Sequence, residues 1–518
     1  MPVNSTHPEY DEAYPRWERC RDFIKGSDSV KDAGEKYLGR LSLQDDEEYE
    51  KYKELAVYTN YSARTLEGLM GMLFRKPPIV TLPEVRSGEL GDALDGIEED
   101  CDLMGSSIES YSREVASEIL AVGRGGTLID FSKEENRAYL AWYSAESILN
   151  WRVERINGRM MVTLVVLEET ETTAVDAVLT LGARSDKEVD PYSETASDRL
   201  RVLRLVPNEN DPEGDRVYRV EIWEKITEGE GSKQKTYWQM VELYEPNRKG
   251  AFLTRIPFIF HNPETEEPTI DKPPLLDVVD LNCSHYRVSA DFAHGLHFVA
   301  LPTAWASGVP KTAELRIGSS QAWTFDNPEA RAGYLEFTGK GLSEYTNERD
   351  RLERQMAVLG ARMLEEQKRA AETAETQRLR QGGEISVLQH ISEVVSEQIT
   401  LAMRWIGWWS STIDNPEEFE DDAIRIALNR DFVDTKLPSQ DVVNLTSVYI
   451  QGGISRDTYL WNLAQGEVLP PGRTPEEEME LIETEGPRPG ATPPGAGEGQ
   501  VPPADEDEED DAGATNQE

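Results

Sequence analysis

Positive charge is what this chain has too little of. Its 54 lysines and arginines face 98 aspartates and glutamates, a formal net charge of −44 over 518 residues. Sequence-independent grip on nucleic acid needs the opposite balance, because affinity comes from cations displacing counterions from phosphates. The isolated chain is therefore not expected to hold DNA or RNA. Fifteen carboxylates and one arginine between 476 and 518 put about fourteen of the charges in the C-terminal stretch, leaving about thirty on the rest. Cysteine is scarce too: Cys20, Cys101 and Cys283 are far apart and odd in number. They make neither a disulfide framework nor a zinc spacing, and suit a reducing cytoplasm. Met1-Pro-Val-Asn-Ser-Thr-His7 lacks the charged-then-apolar pattern of an export signal. The run Leu69-Met-Gly-Met-Leu-Phe74 falls far short of the ~18 apolar residues that span a bilayer. A soluble, unexported protein with no membrane partner is expected.

Catalytic signatures are missing as well. Gly333 to Gly341 contains Gly339-Lys340, but its spacing is one residue too long for a phosphate loop, and Gly341 replaces the metal-binding hydroxyl residue. Gly123-Arg-Gly-Gly126 lies between a helix pattern and a strand pattern, the reverse of the order that puts phosphate on a helix N-terminus. It reads as a helix C-cap. His294 and His297 sit three apart with Asp291 one turn earlier. Without a matching ligand pair on a second helix they read as packing or interface histidines, not metal ligands. There is no Gly-Xaa-Ser-Xaa-Gly elbow and no cysteine placed as a nucleophile. No catalytic residue, metal or cofactor is assigned, and the chain is not expected to be an enzyme.

What is present is mostly architecture. Leu342, Tyr345, Leu352, Met356, Leu359 and Met363 fall at spacings of three and four, with Arg349 at the intervening seam position. That narrow stripe predicts a helix packed along one seam, as in a bundle or ring. Arg369 to Gly383 has little to bury and ends in two glycines, which predicts a mobile loop. Leu388, Ile391, Val395, Ile399, Ala402, Ile406, Trp409 and Ile413 then restore the helical rhythm. Trp405, Trp408 and Trp409 with Arg404 have the chemistry to stack bases, but their place in an apolar stripe favours a core or subunit-contact cluster.

Upstream, Tyr49 to Phe74 is dense in helix formers and is stopped by Arg75-Lys-Pro-Pro78. Residues 102 to 122 predict another amphipathic helix, followed by a strand at Thr127–Phe131. From 139 to 260 the period changes to two and β-branched residues dominate. Strands are predicted at 160–167, 201–206, 217–223, 237–244 and 256–260, making a mixed α/β domain. Pro273-Pro274 opens a helix to about Val299. Short strands and turns follow (303–306, 322–325, 334–337). After the two long helices come a strand at 423–428 and two short helices in 438–466 around Gly452-Gly453. From about 486 onward proline, glycine and acids dominate, and no fold is expected. A chain this long should hold two to four domains or layers.

In this order the segments resemble a tailed-bacteriophage portal protein. Tyr58-Thr-Asn-Tyr-Ser-Ala-Arg-Thr65 leading to Phe74-Arg-Lys-Pro77, Val122-Gly-Arg-Gly-Gly-Thr-Leu-Ile-Asp130 and Ile148-Leu-Asn-Trp151 are similar to one portal subfamily. The likeness spans roughly residues 10 to 470, and its motifs are packing and turn signatures. It implies an α+β portal architecture: an N-terminal helical segment (1–80), an α/β wing (81–272), a first stem helix (273–300), a clip (301–341) and a second stem helix (342–368). A tunnel loop (369–383), a long helix behind it (384–414), a return to the wing (415–437), crown helices (438–485) and a disordered acidic tail (486–518) complete the scheme.

The implied role is non-catalytic. About twelve copies would form a homo-oligomeric ring, the head-tail connector at one capsid vertex, through which double-stranded DNA is packaged and ejected without sequence specificity. Implied partners are terminase, head-completion and adaptor proteins, and the major capsid and scaffolding proteins. The implied location is the virion, with the host cytoplasm during assembly. Lys368, Arg369, Arg378 and Arg380 would face DNA from the tunnel loop; Arg369, Arg378 and Arg380 have the alternative of pairing with Glu372, Glu375 and Glu384 inside it. The stem seam would supply subunit contact. An ATPase or nuclease of the packaging machinery is the alternative, needing a nucleotide loop or a metal-holding acidic cluster; an acidic scaffold or adaptor is a third reading.

Overall fold

The computed structural model describes residues 2–83, 94–174, 194–208, 215–228, 235–265, 267–300, 303–308, 323–325, 327–335, 339, 341–364, 374–410, 423–430, 432, 437, 439–466, 468–470 and 473–485. It is a mixed helix-and-sheet structure in two compact units, divided between Phe432 and Val433.

The first unit opens with α1 (Pro8–Lys25), in which Pro8 occupies the first turn and the preceding His7 Nδ1 accepts the Glu9 N–H as a cap. Tyr10, Ala13, Trp17, Cys20 and Phe23 recur at three and four and are all buried. After α2 (Ser27–Asp32), α3 (Asp46–Leu55) starts on a reciprocal capping box between Asp45 and Glu48. The single helix expected through Phe74 is instead two. Ala56 ends α3 in extended backbone, and Asn60 caps α4 (Tyr61–Leu73) by accepting from Ala63 N. Asparagine competes for backbone groups inside a helix but serves well at its start.

Helix α5 (Ile108–Val122) ends at Gly123, which adopts φ 72°. The Gly-Arg-Gly-Gly segment is thus a C-cap, as its sequence indicates. Its third and fourth residues have a second reason to be small: a Cβ at Gly125 would lie 2.3 Å from the Trp142 ring, and one at Gly126 2.3 Å from the Phe258 ring. Strand β1 is Ile79–Thr81. Strands β2 (Gly125–Ser132), β3 (Arg137–Ser144) and β11 (Phe258–His261) form an antiparallel sheet in the order β11-β2-β3.

Strands β4 (Ile148–Ile156), β5 (Arg159–Ala174), β6 (Glu194–Val206), β7 (Val217–Glu228) and β8 (Lys235–Tyr244) make a five-stranded antiparallel meander. The period-two reading of this region holds, with longer strands than the apolar runs alone suggest. At its edge β8 exposes Tyr237, Met240, Val241 and Leu243. A small hairpin, β9 (Asn247–Arg248) and β10 (Ala251–Phe252), precedes β11.

Three long helices follow: α6 (Leu276–Ala300), α7 (Leu342–Leu364) and α8 (Ala374–Ser410). Between α6 and α7, β12 (Thr303–Ser307) pairs with β13 (Arg331–Leu335). Trp323–Phe325 are described without strand pairing, while Ala322 and 336–338 lie outside the described residues. Helix α8 begins ten residues before the expected start at 384 and runs through Gly382-Gly383. Two glycines cost roughly 2 kcal/mol relative to alanine, but the good helix formers before them extend a helix already nucleated, at one new backbone bond per residue. After α8, β14 (Arg425–Ala427) pairs antiparallel with β1.

The second unit contains α9 (Ser439–Ile450), α10 (Arg456–Gln465) and α11 (Pro475–Glu485). Tyr449 stacks on Tyr459 at 4.6 Å, and Leu460 and Leu463 are buried. The stretch 486–518 lies outside the described residues.

Candidate functional site

The paired helices α6 and α7 are the feature the rest of the first unit positions. At 25 residues and ~1.5 Å per residue, α6 is about 37 Å long. The N-terminal layer holds it at successive turns. Asn282, buried in mid-helix, donates from Nδ2 to Tyr58 Oη at 3.0 Å and to Ser62 Oγ at 3.1 Å. Arg287 Nε donates to the Tyr37 carbonyl at 2.7 Å, and the Tyr52 hydroxyl donates to Asp291 at 2.6 Å. Arg19 pairs with Asp280 at 3.0 Å.

Helix α7 meets α6 through His285 Nε2 and Glu353, 3.1 Å apart, with the Tyr61 ring edge-on to the imidazole at 5.4 Å. Burial lowers the His285 pKa, partly opposed by Glu353. Leu352 and Met356 are buried in the chain itself, while Tyr345 is exposed and Leu342 and Leu359 are partly covered. The seam is therefore divided: its centre is already satisfied within one chain. Gly360 lets α7 approach α4, since a Cβ there would stand 3.2 Å from Thr65 Oγ1. No side chain is described for Met363.

Helix α8 is pinned from two sides. Ser392, Ser396 and Thr400, one turn apart, hydrogen-bond the backbone of Ile426 in β14 and of Leu428 and Asn429 just after it. Ser392 Oγ donates to the Asn429 carbonyl at 3.0 Å, Leu428 N–H donates to Ser396 Oγ at 3.0 Å, and Thr400 Oγ1 both receives from Ile426 N and donates to its carbonyl. On the other side, burial drops the His261 pKa to about 4, so the ring is neutral. Its Nδ1–H donates to Gln398 Oε1 at 2.9 Å, and its Nε2 accepts from Thr127 Oγ1 at 2.6 Å; Thr127 in turn accepts from the Tyr111 hydroxyl. One chain of bonds thus joins α5, β2, β11 and α8. Apolar periodicity passes over all three hydroxyl residues; their i, i+4, i+8 spacing was the available signal.

Where α6 begins, Arg124 is buried, and among the described residues no carboxylate pairs with it. Its guanidinium carbon stands 4.5 Å from the Trp151 ring centre and 4.7 Å from that of Phe260, and Nη1 donates to the carbonyls of Pro268 (2.7 Å) and Thr269 (3.1 Å). His7 stacks on Trp151 at 4.0 Å. Burial pulls the Arg124 pKa down to about 9. Two separate sequence motifs, Val122–Asp130 and Ile148–Trp151, meet here to clamp the loop entering α6.

The remaining sequence candidates are placed as follows. Arg378 and Arg380 lie in the first turns of α8, not in a loop, while Lys368 and Arg369 lie outside the described residues. Trp405 and Trp408 are buried, Trp409 lies against Phe131 at 5.6 Å, and Arg248 stands 4.2 Å over Trp408. This tryptophan cluster is core. His294 meets Tyr52 edge-on, and Asp291 accepts the Tyr52 hydroxyl. Among the described residues no group of three or more histidine, cysteine or carboxylate side chains is arranged to hold a metal, and no helix is long and apolar enough to cross a membrane.

The family model for a domain of unknown function (DUF4055) matches residues 274–410, from the start of α6 to the end of α8, about a quarter of the chain. No curated protein matches. Among solved structures, the neck of an empty GTA particle computed with sixfold symmetry aligns at TM-score 0.37 and 12% identity, over 80% of this chain and 91% of that one. The virion of a native gene transfer agent (GTA) particle aligns at TM-score 0.37 and 11% identity, over 86% and 99%. The neck of a native GTA particle computed with twelvefold symmetry aligns at 0.35 and 11%, over the same shares.

Proposed function

We propose that this chain is the subunit of a portal: a ring at one vertex of a phage-like capsid through which double-stranded DNA enters and leaves. The observation that carries the reading is the α6–α7 pair. Two long helices lie side by side, held from the N-terminal layer and joined by a small β12–β13 element, with α8 anchored to the sheet beside them. In the portal reading these elements serve, in that order, as stem, clip and long helix. The charge supports the reading: a conduit for a moving polyanion needs walls that do not bind it, and a net charge of −44 disfavours tight binding of a polyanion.

In this reading the chain acts by assembling and docking, not by catalysis. The clip meets terminase during packaging and completion proteins afterwards, the ring holds about twelve copies among capsid and scaffolding proteins, and cations near the start of α8 touch DNA transiently. Negative-stain microscopy of the purified protein tests it. Closed rings with a hole wide enough for duplex DNA are the expected result. A chain that stays monomeric at micromolar concentration in every salt condition overturns the proposal.

A further inference from the structure

Two surface features of the first unit are complementary in chemistry. The first is Leu43, fully exposed and at φ 67°, a left-handed backbone that leucine rarely adopts. Its turn is fixed: Leu41 N–H donates to Gln44 Oε1 at 3.1 Å, Gln44 N–H returns a bond to the Leu41 carbonyl, and Gln44 Nε2 donates to the Glu48 carbonyl at 3.2 Å. An apolar side chain is thus held out in water by a strained but well-tied turn. The acids Asp45, Asp46 and Glu47 follow Gln44; Asp45 caps α3, while Asp46 and Glu47 pair with Arg40 and Lys51 yet keep their carboxylates largely solvent-exposed.

The second feature is an open groove of about 420 Å³ between α6 and α7, floored by Leu281, Val358 and Leu359 and bordered by Arg351, Arg354 and Gln355. Arg351 pairs with Glu348 of its own helix. Arg354 donates from Nε to the Asp350 carbonyl, and among the described residues no carboxylate reaches it. An apolar floor with a cationic rim calls for an apolar knob beside an acidic surface.

We propose that the Leu43 turn of one copy inserts into the α6–α7 groove of the next, with Asp45–Glu47 beside Arg351 and Arg354. Knob and groove are different surfaces, so the contact is head-to-tail and closes into a ring when the rotation per copy permits. Because the turn is already tied, little conformational freedom is lost on docking. The inference rests on the portal reading only in requiring that copies of this chain associate.

Variants with one added cysteine test it, since Cys20, Cys101 and Cys283 are all buried. Leu43→Cys and Val358→Cys proteins, treated with a short bismaleimide, should form covalent dimers when mixed and not when treated apart. Leu43→Asp should raise the concentration for half-assembly about tenfold or more with unchanged melting, because burying a leucine is what drives this contact. Arg354→Glu should do the same, and Glu47→Lys in the Arg354→Glu chain should restore assembly. Rings that form without the mixed cross-link, and that tolerate Leu43→Asp, overturn this contact and leave the portal reading standing. Absence of any association overturns both.

Discussion

Arg124 and His261 show how single buried residues hold the long helices in place. The Arg124 guanidinium is planar, which lets it lie between Trp151 and Phe260 while Nη1 serves two carbonyls of the loop entering α6. Lysine offers neither the flat faces nor the fork. Arg124→Ala should therefore lower unfolding free energy by about 3 kcal/mol, from lost packing and unpaired carbonyls, and Arg124→Lys should recover little of it in urea titrations. His261 gives a pH signature. It is neutral in the folded chain, with a pKa near 4, against about 6.5 when unfolded. Between those values the unfolded chain binds more protons, so stability contributed at His261 falls as pH drops from 6.5 to 4 and is flat outside that window. His261→Gln should flatten the decline across that window by up to roughly 3 kcal/mol, read as the difference between wild-type and variant denaturation curves at pH 7 and pH 4.5.

At the level of elements, the hydroxyls of α8 stand in for a missing strand. Strand β14 has β1 along one edge, while Thr400 bonds Ile426 from the other side and Ser396 and Ser392 continue the row onto Leu428 and Asn429. Ser396→Ala strands the Leu428 N–H in a buried place and should cost about 1–3 kcal/mol, with faster amide exchange at Leu428 and Ile426. Substituting Ser447, on an exposed part of α9, should change neither. Much of the element order was legible because it rests on periodicity. The spacing of three and four gave the long helices, and the change to two at 139 gave the meander. Boundaries set by local competition were harder. Asn60 splits a helix-rich stretch by capping, and Gly382-Gly383 is carried within α8 although glycine usually punctuates. The clamp at Arg124 was invisible for another reason: its partners are 27 and 136 residues away in sequence, and no spacing rule connects them. The divided seam on α7 had the same cause, since periodicity marks an apolar face without saying which chain covers it.

For the whole molecule, net charge sets the salt dependence expected of the proposed assembly. Copies of net charge −44 repel one another at low ionic strength, where the screening length is about 30 Å at 0.01 M and 10 Å at 0.1 M. Ring formation followed by mass photometry should therefore become more favourable as salt rises, opposite to the trend for a protein binding DNA through cations. Ring yield that falls steadily with salt would contradict an assembly built from like-charged parts around apolar contacts.

The outer strand of the meander sharpens this point. Among the described residues no strand pairs with the outer side of β8, and Tyr237, Met240, Val241 and Leu243 are exposed there, so a lone protomer carries a sticky seam that mutual repulsion helps keep quiet. Salt that speeds correct closure also unmasks that seam, so productive growth and precipitation compete for the same pool of subunits. On the portal reading, chains made in excess of those that assemble should collect in the insoluble fraction.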